Sequence, residues 1–390
     1  MISKRIADKL LSGSMIRKMF EEGNRLKAIY GADKVFDFSI GNPDLEPPQE
    51  VIDAISAYAA SDIPGKHAYM SNSGYLSTRK VVADKLTWNS SVTVRADGVC
   101  MTVGAAGAMN AVLRAILDPG DEVIILAPFF MEYMSYIDNH MGIPVVVPAA
   151  PGTFMPDMNR IRAAITQKTK AIIINSPNNP TGVVYPADIL DQLNECLLSA
   201  DHLIHVISDE PYIDLVYDGK TTPPSLDHFD NLIICYSWSK SLSLPGERIG
   251  YCAVSPKHAD YAELCPAIVF CNRILGSVNA PAFFQKIIEQ TVDAKADIGS
   301  YEYRRNLLYD IVIRAGFSCT KPAGALYLFV KSPVDDIEFA AKCAGYNLLV
   351  VPGSAFICPG YFRLAFCVSE STIRGSEEAF RSVAREYHLI

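Results

Sequence analysis

The sequence reads as an α/β protein: a large domain with a mostly parallel sheet flanked by helices, plus a smaller α+β domain built from the N-terminal segment and the C-terminal third. Three observations predict this. Short apolar runs that end in turn residues recur through the middle of the chain: GDEVIILAP (Gly120–Pro128), KAIIINSP (Lys170–Pro177), HVISDEP (His205–Pro211) and NLIICYS (Asn231–Ser237). Helical patterns such as PADILDQLNECLLSA lie between them, and that alternation is the mark of a parallel sheet. From Pro281 the pattern changes to a long helical stretch followed by strands and helices that no longer alternate regularly.

Taken in order, residues 1–45 are mostly helical and reach FDFSIGNPDLEPP; they are too short to fold alone and are expected to join the small domain. Residues 46–280 form the large domain. Its runs are apolar enough for strands covered on both faces. In TVGAAGAMNAVLRAIL, Met109, Val112, Leu113 and Ile116 recur at helical spacing, so this is an amphipathic helix opening on small residues. Residues 281–390 form the small domain: a helix over Pro281–Ala315, the strand GALYLFV, a helix, then the strand GYFRLAFCV.

Composition narrows the function classes. The chain has 390 residues, a length that suits two or three domains, and is 49% apolar. Its net charge of −8 argues against a nucleic-acid binder. The first fifteen residues are charged and lack a signal peptide's apolar run, and no stretch approaches a membrane span. The ten cysteines form no CxxC pair and none pair with histidine at zinc spacing. Reduced thiols, no metal and a cytoplasmic location are the expectation.

In such sheets ligands bind at the carboxyl ends of the strands. Asn179, Asp209 and Lys240 each follow a strand-like run closely and are expected to open onto one crevice. Lys240 sits among Ser237, Ser239, Ser241 and Ser243, with Arg248 eight residues on. A buried lysine beside a cation loses its proton readily and becomes a nucleophile, while the serines and Arg248 suit an anion. The plain alternative is a serine-rich surface loop. GAAG offers bare helix-start amides to the same anion, or simply close helix packing, and it lacks a full dinucleotide fingerprint. Asp209 suits a protonated ring nitrogen, with Tyr212 near the same ring, or is a helix cap. NSPNNPTG is a turn in any case, in which Asn179 can meet a cofactor hydroxyl. Phe130 is a stacking ring or core. Arg363 is a carboxylate clamp or an outward strand position.

Together, from GNPD near residue 41 to FRLAF near 363, these stretches resemble fold-type I, pyridoxal-phosphate-dependent aminotransferases of class I/II, the aspartate aminotransferase-like group. The resemblance implies pyridoxal 5′-phosphate as cofactor and Lys240 as the Schiff-base lysine. It makes Asp209 the partner of the ring nitrogen, and Tyr212 and Asn179 the ligands of the phenolic oxygen. Phe130 stacks on the ring; the Ala105 and Ala106 amides, Ser237, Ser239 and Arg248 form the phosphate cup. Tyr69 reaches the phosphate from the other subunit of a homodimer. Arg363 clamps the α-carboxylate with Asn179 and the backbone near Gly41. Two departures stand out: GAAG carries no hydroxyl for the phosphate, and GYLSTRKVVA is a loose version of the helix after Tyr69. The implied activity is amino-group transfer from an L-amino acid to a 2-oxo acid with ping-pong kinetics. Arg273 is a candidate reader of an acidic side chain, across the dimer, and Ile16 and Met19 are candidates for lining the pocket. A C–S β-lyase of the same fold is the nearest rival. A regulator with a DNA-binding module and a nucleotide-dependent α/β enzyme fit less well.

Overall fold

The computed structural model describes residues 2–4, 6–7 and 15–390. β1 is Phe36–Asp37. The large sheet is built from β2 (Val99–Thr102), β3 (Glu122–Ala127), β4 (Ile143–Pro148), β5 (Thr169–Asn175), β6 (His205–Asp209), β7 (Leu232–Ser237) and β8 (Gly250–Val254). Its order is β2-β8-β7-β6-β5-β3-β4. Every pairing is parallel except those of β8, which runs antiparallel to both β7 and β2.

The four anticipated runs are β3, β5, β6 and β7, and their Val/Ile content follows from where they lie. Alternate residues point to opposite faces, and both faces are buried. Ile124, Ile172, Val206 and Ile234 enter one core, while Val123, Ala171, Ile207 and Ile233 enter the other. Apolar residues are therefore needed at every position, not every second one. The amphipathic helix expected after GAAG spans Gly104–Ile116 and buries Met109, Val112, Leu113 and Ile116, packing against the helix Tyr261–Asn272.

The tail differs from expectation in one respect. The stretch from Pro281 to Ala315 is two helices, Ala282–Thr291 and Ile298–Arg314, rather than one. Asp297 caps the second by accepting the Ser300 amide, and the Ala296 N–H between them is drawn to the Ser241 carbonyl at 3.0 Å. The first helix puts Ile287 and Ile288 into the large sheet's core. The second puts Tyr301, Leu308, Ile311 and Val312 into a separate core with Phe38. After it come β9 (Tyr327–Lys331), β10 (Leu348–Leu349), β11 (Val351–Pro352) and β12 (Tyr361–Ala365). β11, β12 and β9 make a small antiparallel sheet. β1 pairs in parallel with β10, Phe36 opposite Leu348 and Asp37 opposite Leu349.

Register decides what faces the crevice. Asn175 of β5 stands opposite Asp209 of β6, and Asp209 opposite Cys235 of β7. Ser237, two residues further, pairs with Gly250 of β8. The carboxyl edge of the sheet thus presents Asn175, Asp209 and Ser237 side by side.

Candidate active site

A cavity of about 330 Å³ opens at this edge, bounded by the two sheets and by the segment at Ile40–Gly41. Lys240, Asp209, Tyr212, Asn179, Phe130, Ala105, Ala106, Ser237, Ser239, Arg248, Gly41 and Arg363 all line it. The residues drawn from distant stretches of sequence therefore meet in one place.

Lys240 ends its approach in the short helix Trp238–Ser241 that follows β7. Its Nζ donates to the Gly41 carbonyl at 2.6 Å. Burial, chiefly, pulls its pKa below the ordinary lysine value; the Cys367 thiol opposes this, and the charges of Arg363 and Arg248 add to it. That is the condition for an amine to act as nucleophile and base.

Asp209 is buried at the end of β6. Its Oδ2 accepts the Tyr133 hydroxyl at 2.5 Å, while Oδ1 is buried without a partner. Burial raises its pKa to about 6, against the lowering effect of the Tyr133 bond. A buried carboxylate oxygen left unpaired is costly, and a protonated ring nitrogen on Oδ1 would relieve it. This is the test of fit for pyridoxal 5′-phosphate, and the residues pass it: a lysine, an orphaned carboxylate oxygen and an anion cup share one cavity.

The first turn of Gly104–Ile116, Ser237, Ser239 and Arg248, the groups suited to an anion, border the cavity together. Ser237 Oγ caps the short helix by accepting the Ser239 amide at 3.2 Å and lies 2.6 Å from Ser239 Oγ. Arg248 crosses to the helix start, where Nη2 donates to the Val103 carbonyl at 3.3 Å. Two glycines allow this approach. A Cβ on Gly104, whose φ is +75°, would meet Arg248 Nη2 at 2.8 Å. One on Gly250 would meet the Gly104 Cα at 2.7 Å. As GAAG foretold, alanines and not hydroxyls stand at the helix start; backbone amides, serines of the Lys240 loop and Arg248 are what remain for an anion.

Arg363, on β12, is fully enclosed. Nη1 donates to Asn179 Oδ1 at 3.0 Å and Nη2 to the Ser39 carbonyl at 2.7 Å, while Nε is buried and unpartnered. The guanidinium lies 4.4 Å from the Tyr327 ring and 4.7 Å from the Phe356 ring. An outward strand position is thereby excluded. With its Oδ1 spent on Arg363, Asn179 keeps its NH₂ for a ligand oxygen. Asn175 anchors this corner: its Nδ2 donates to the Asp209 carbonyl, and its Oδ1 accepts the Asn179 amide, both at 2.8 Å.

Two expected residues lie elsewhere on this chain. Tyr69 is 88% exposed and outside the cavity. Arg273 is exposed and borders a separate surface groove with Asn72, Arg79 and Arg95. Met19 does not line the cavity, and the Ile16 side chain lies outside the described residues. The sequence reading missed Tyr133, Tyr136, Asn175 and Tyr327, all in the wall. Tyr133 ends the APFFMEY stretch read for Phe130 alone, and helical spacing after Phe130 was the signal available.

The fold and cavity define a class: an α/β enzyme whose cavity joins a buried lysine, an unpaired carboxylate oxygen and groups suited to an anion. The family described as aminotransferase class I and II matches residues 33–379. The chain is 33% identical to the probable aspartate/prephenate aminotransferase of Thermus aquaticus, covering 87% of this chain and 89% of that one. It is 30% identical to the aspartate aminotransferase of Thermotoga maritima over 95% of both. A crystal structure of an aminotransferase from Eubacterium rectale superposes with a TM-score of 0.95 at 39% identity over 99% of both chains. The chain belongs to the class I and II aminotransferase family. It is a pyridoxal-phosphate-dependent transaminase, and the aminotransferase names of these relatives do not favour the lyase alternative. Among the described residues no helix is long and apolar enough to cross a membrane.

Proposed function

We propose that the residues of this cavity act as follows. Pyridoxal 5′-phosphate supplies an aldehyde that condenses with amines and a protonatable ring that accepts an electron pair. Lys240 would hold the group through its Nζ, and the same Nζ, when free, would take the proton from the substrate's Cα. Asp209 Oδ1 holds the proton of the ring nitrogen. Tyr212 and Asn179 would donate to the phenolic oxygen, Phe130 would pack on the ring, and the Ala105 and Ala106 amides, Ser237, Ser239 and Arg248 would hold the phosphate. Arg363 receives the α-carboxylate beside Asn179 and Gly41. The reaction runs as two half-reactions that share these residues, so ping-pong kinetics follow.

The observation that carries this reading is the unpartnered Oδ1 of Asp209 in the same cavity as the Lys240 amine. The test is to add single amino acids, without any oxo acid, to the cofactor-loaded protein and follow its visible absorbance. Conversion to the amino form of the cofactor supports transamination; pyruvate with no such conversion supports elimination.

The aspartate aminotransferase names of the relatives support an acidic substrate. Arg273 lies on the surface, so it serves a second carboxylate only in another copy's cavity. An aspartate/alanine kcat/KM ratio unmoved by Arg273→Ala would exclude it. The exposure of Tyr69 supports a homodimer in which it completes the partner's phosphate cup, and sedimentation as monomer alone at assay concentration would contradict this. We place the enzyme in the cytoplasm, and divide it at about residues 45 and 280.

A further inference from the structure

Tyr327 stands on β9, across the cavity from the large sheet. Its hydroxyl lies 3.0 Å from that of Tyr212. The two rings are nearly perpendicular, with centroids 5.9 Å apart, and both residues are buried. Room for the Tyr327 phenol comes from Gly41: a Cβ there would fall 2.0 Å from the Tyr327 oxygen. The Arg363 guanidinium covers the ring. Tyr327 therefore touches the carboxylate clamp, the backbone that accepts Lys240, and Tyr212.

A phenol has one proton to give. Between two facing hydroxyls only one donates to the other, and the isolated pair permits either direction. If Tyr212 gives its proton to a ligand oxygen, it can only accept from Tyr327. We propose that Tyr327 is a positioning residue that acts through Tyr212: its hydroxyl donates to the Tyr212 oxygen, orients the Tyr212 proton into the cavity and strengthens its donation to the cofactor's phenolic oxygen. This rests on the reading of Tyr212 given above. The strengthening follows from polarisation along a hydrogen-bonded chain in a buried site.

The consequence is spectroscopic. When the nitrogen linking Lys240 to the cofactor loses its proton, the phenolic oxygen carries the negative charge, and donation from Tyr212 stabilises it. Weaker donation makes the nitrogen keep its proton to higher pH. The groups facing the tyrosine pair are Arg363, Asp209, Tyr133 and Cys367; those facing Lys240 are Cys367, Arg363 and Arg248. Tyr327→Phe changes none of these and keeps the ring beneath Arg363.

The experiment is a pH titration of the visible absorbance of the full-length enzyme loaded with pyridoxal 5′-phosphate. Tyr327→Phe is expected to raise the midpoint by about 0.5–1 pH unit, the size of one neutral hydrogen bond. Tyr212→Phe raises it by more, and Tyr327→Phe adds nothing in the Tyr212→Phe background. Fluorotyrosine at position 327, a stronger donor, lowers it. An unmoved midpoint in Tyr327→Phe, or equal shifts in both backgrounds, overturns the proposal while leaving the site intact. If Tyr212→Phe itself moves nothing, or no visible band forms, the assignment of Tyr212 falls and the inference with it.

Discussion

Replacing Arg363 by lysine tests the carboxylate clamp. The guanidinium commits one N–H to Asn179 and one to the Ser39 carbonyl, leaving the remainder, including the buried Nε–H, for a ligand. Lysine keeps the charge but offers a single donor centre without the planar fork. A hydrogen bond to a charged group contributes about 1.5–3 kcal/mol, so losing one of a bidentate pair costs roughly 10–150-fold in kcat/KM. The informative comparison uses an amino acid and the amine with the same side chain but no carboxylate. R363K is expected to lower kcat/KM for the amino acid by that factor and leave the amine unchanged. A thermal melt separates this from the loosening that loss of the Ser39 contact causes. Equal losses on both substrates, with an unchanged melt, would refute the clamp.

Asp209→Asn puts a neutral amide where the ring nitrogen's proton must be held, and kcat should fall by roughly 10²–10³-fold while cofactor remains bound in equilibrium dialysis. Tyr133→Phe leaves Asp209 Oδ2 without its donor, a loss of about 1–3 kcal/mol that should appear as weaker cofactor retention and a lower melting temperature. Stability should also depend on a buried histidine pair far from the cavity. His205 Nδ1 lies 2.9 Å from His258 Nε2; burial is the main cause that lowers their pKa values to about 3 and about 4. Because the unfolded chain takes up these protons first, stability is intact above about pH 6.5 and is lost as pH falls towards 4, at up to about 1.4 kcal/mol per pH unit for each histidine. Urea titrations across that range should show the slope, and H258Q should flatten it; an unchanged slope would contradict the assignment.

Much of this was legible because the chemistry sits next to strong local signals. Asp209 and Ser237 close apolar strands, and Asn179 and Lys240 follow four and three residues after β5 and β7, so the carboxyl-end rule gathers them without a structure. Arg363 could be read either way, because a single charged residue in a strand looks the same whether it faces water or a buried ligand. Only the fold brings β12 against Ser39 and Asn179. Tyr327 and Tyr133 were hidden for a related reason: an aromatic in an apolar run usually belongs to the core, and what distinguishes these two is a hydroxyl aimed at a partner distant in sequence. The break between Thr291 and Ile298 is hard to read because helical periodicity continues on both sides; what marks it is the Asp297 cap and the tertiary bond from Ala296 to Ser241.

Lys240 is the residue on which the proposed chemistry depends above all. Loading the protein with pyridoxal 5′-phosphate, reducing it with borohydride and mapping the peptides by mass identifies the lysine that carries the cofactor. One adduct is expected, on the peptide containing Lys240, absent from Lys240→Ala and lost when excess amino-acid substrate precedes the reductant. An adduct on another lysine, or one that persists in Lys240→Ala at the same yield, would contradict it.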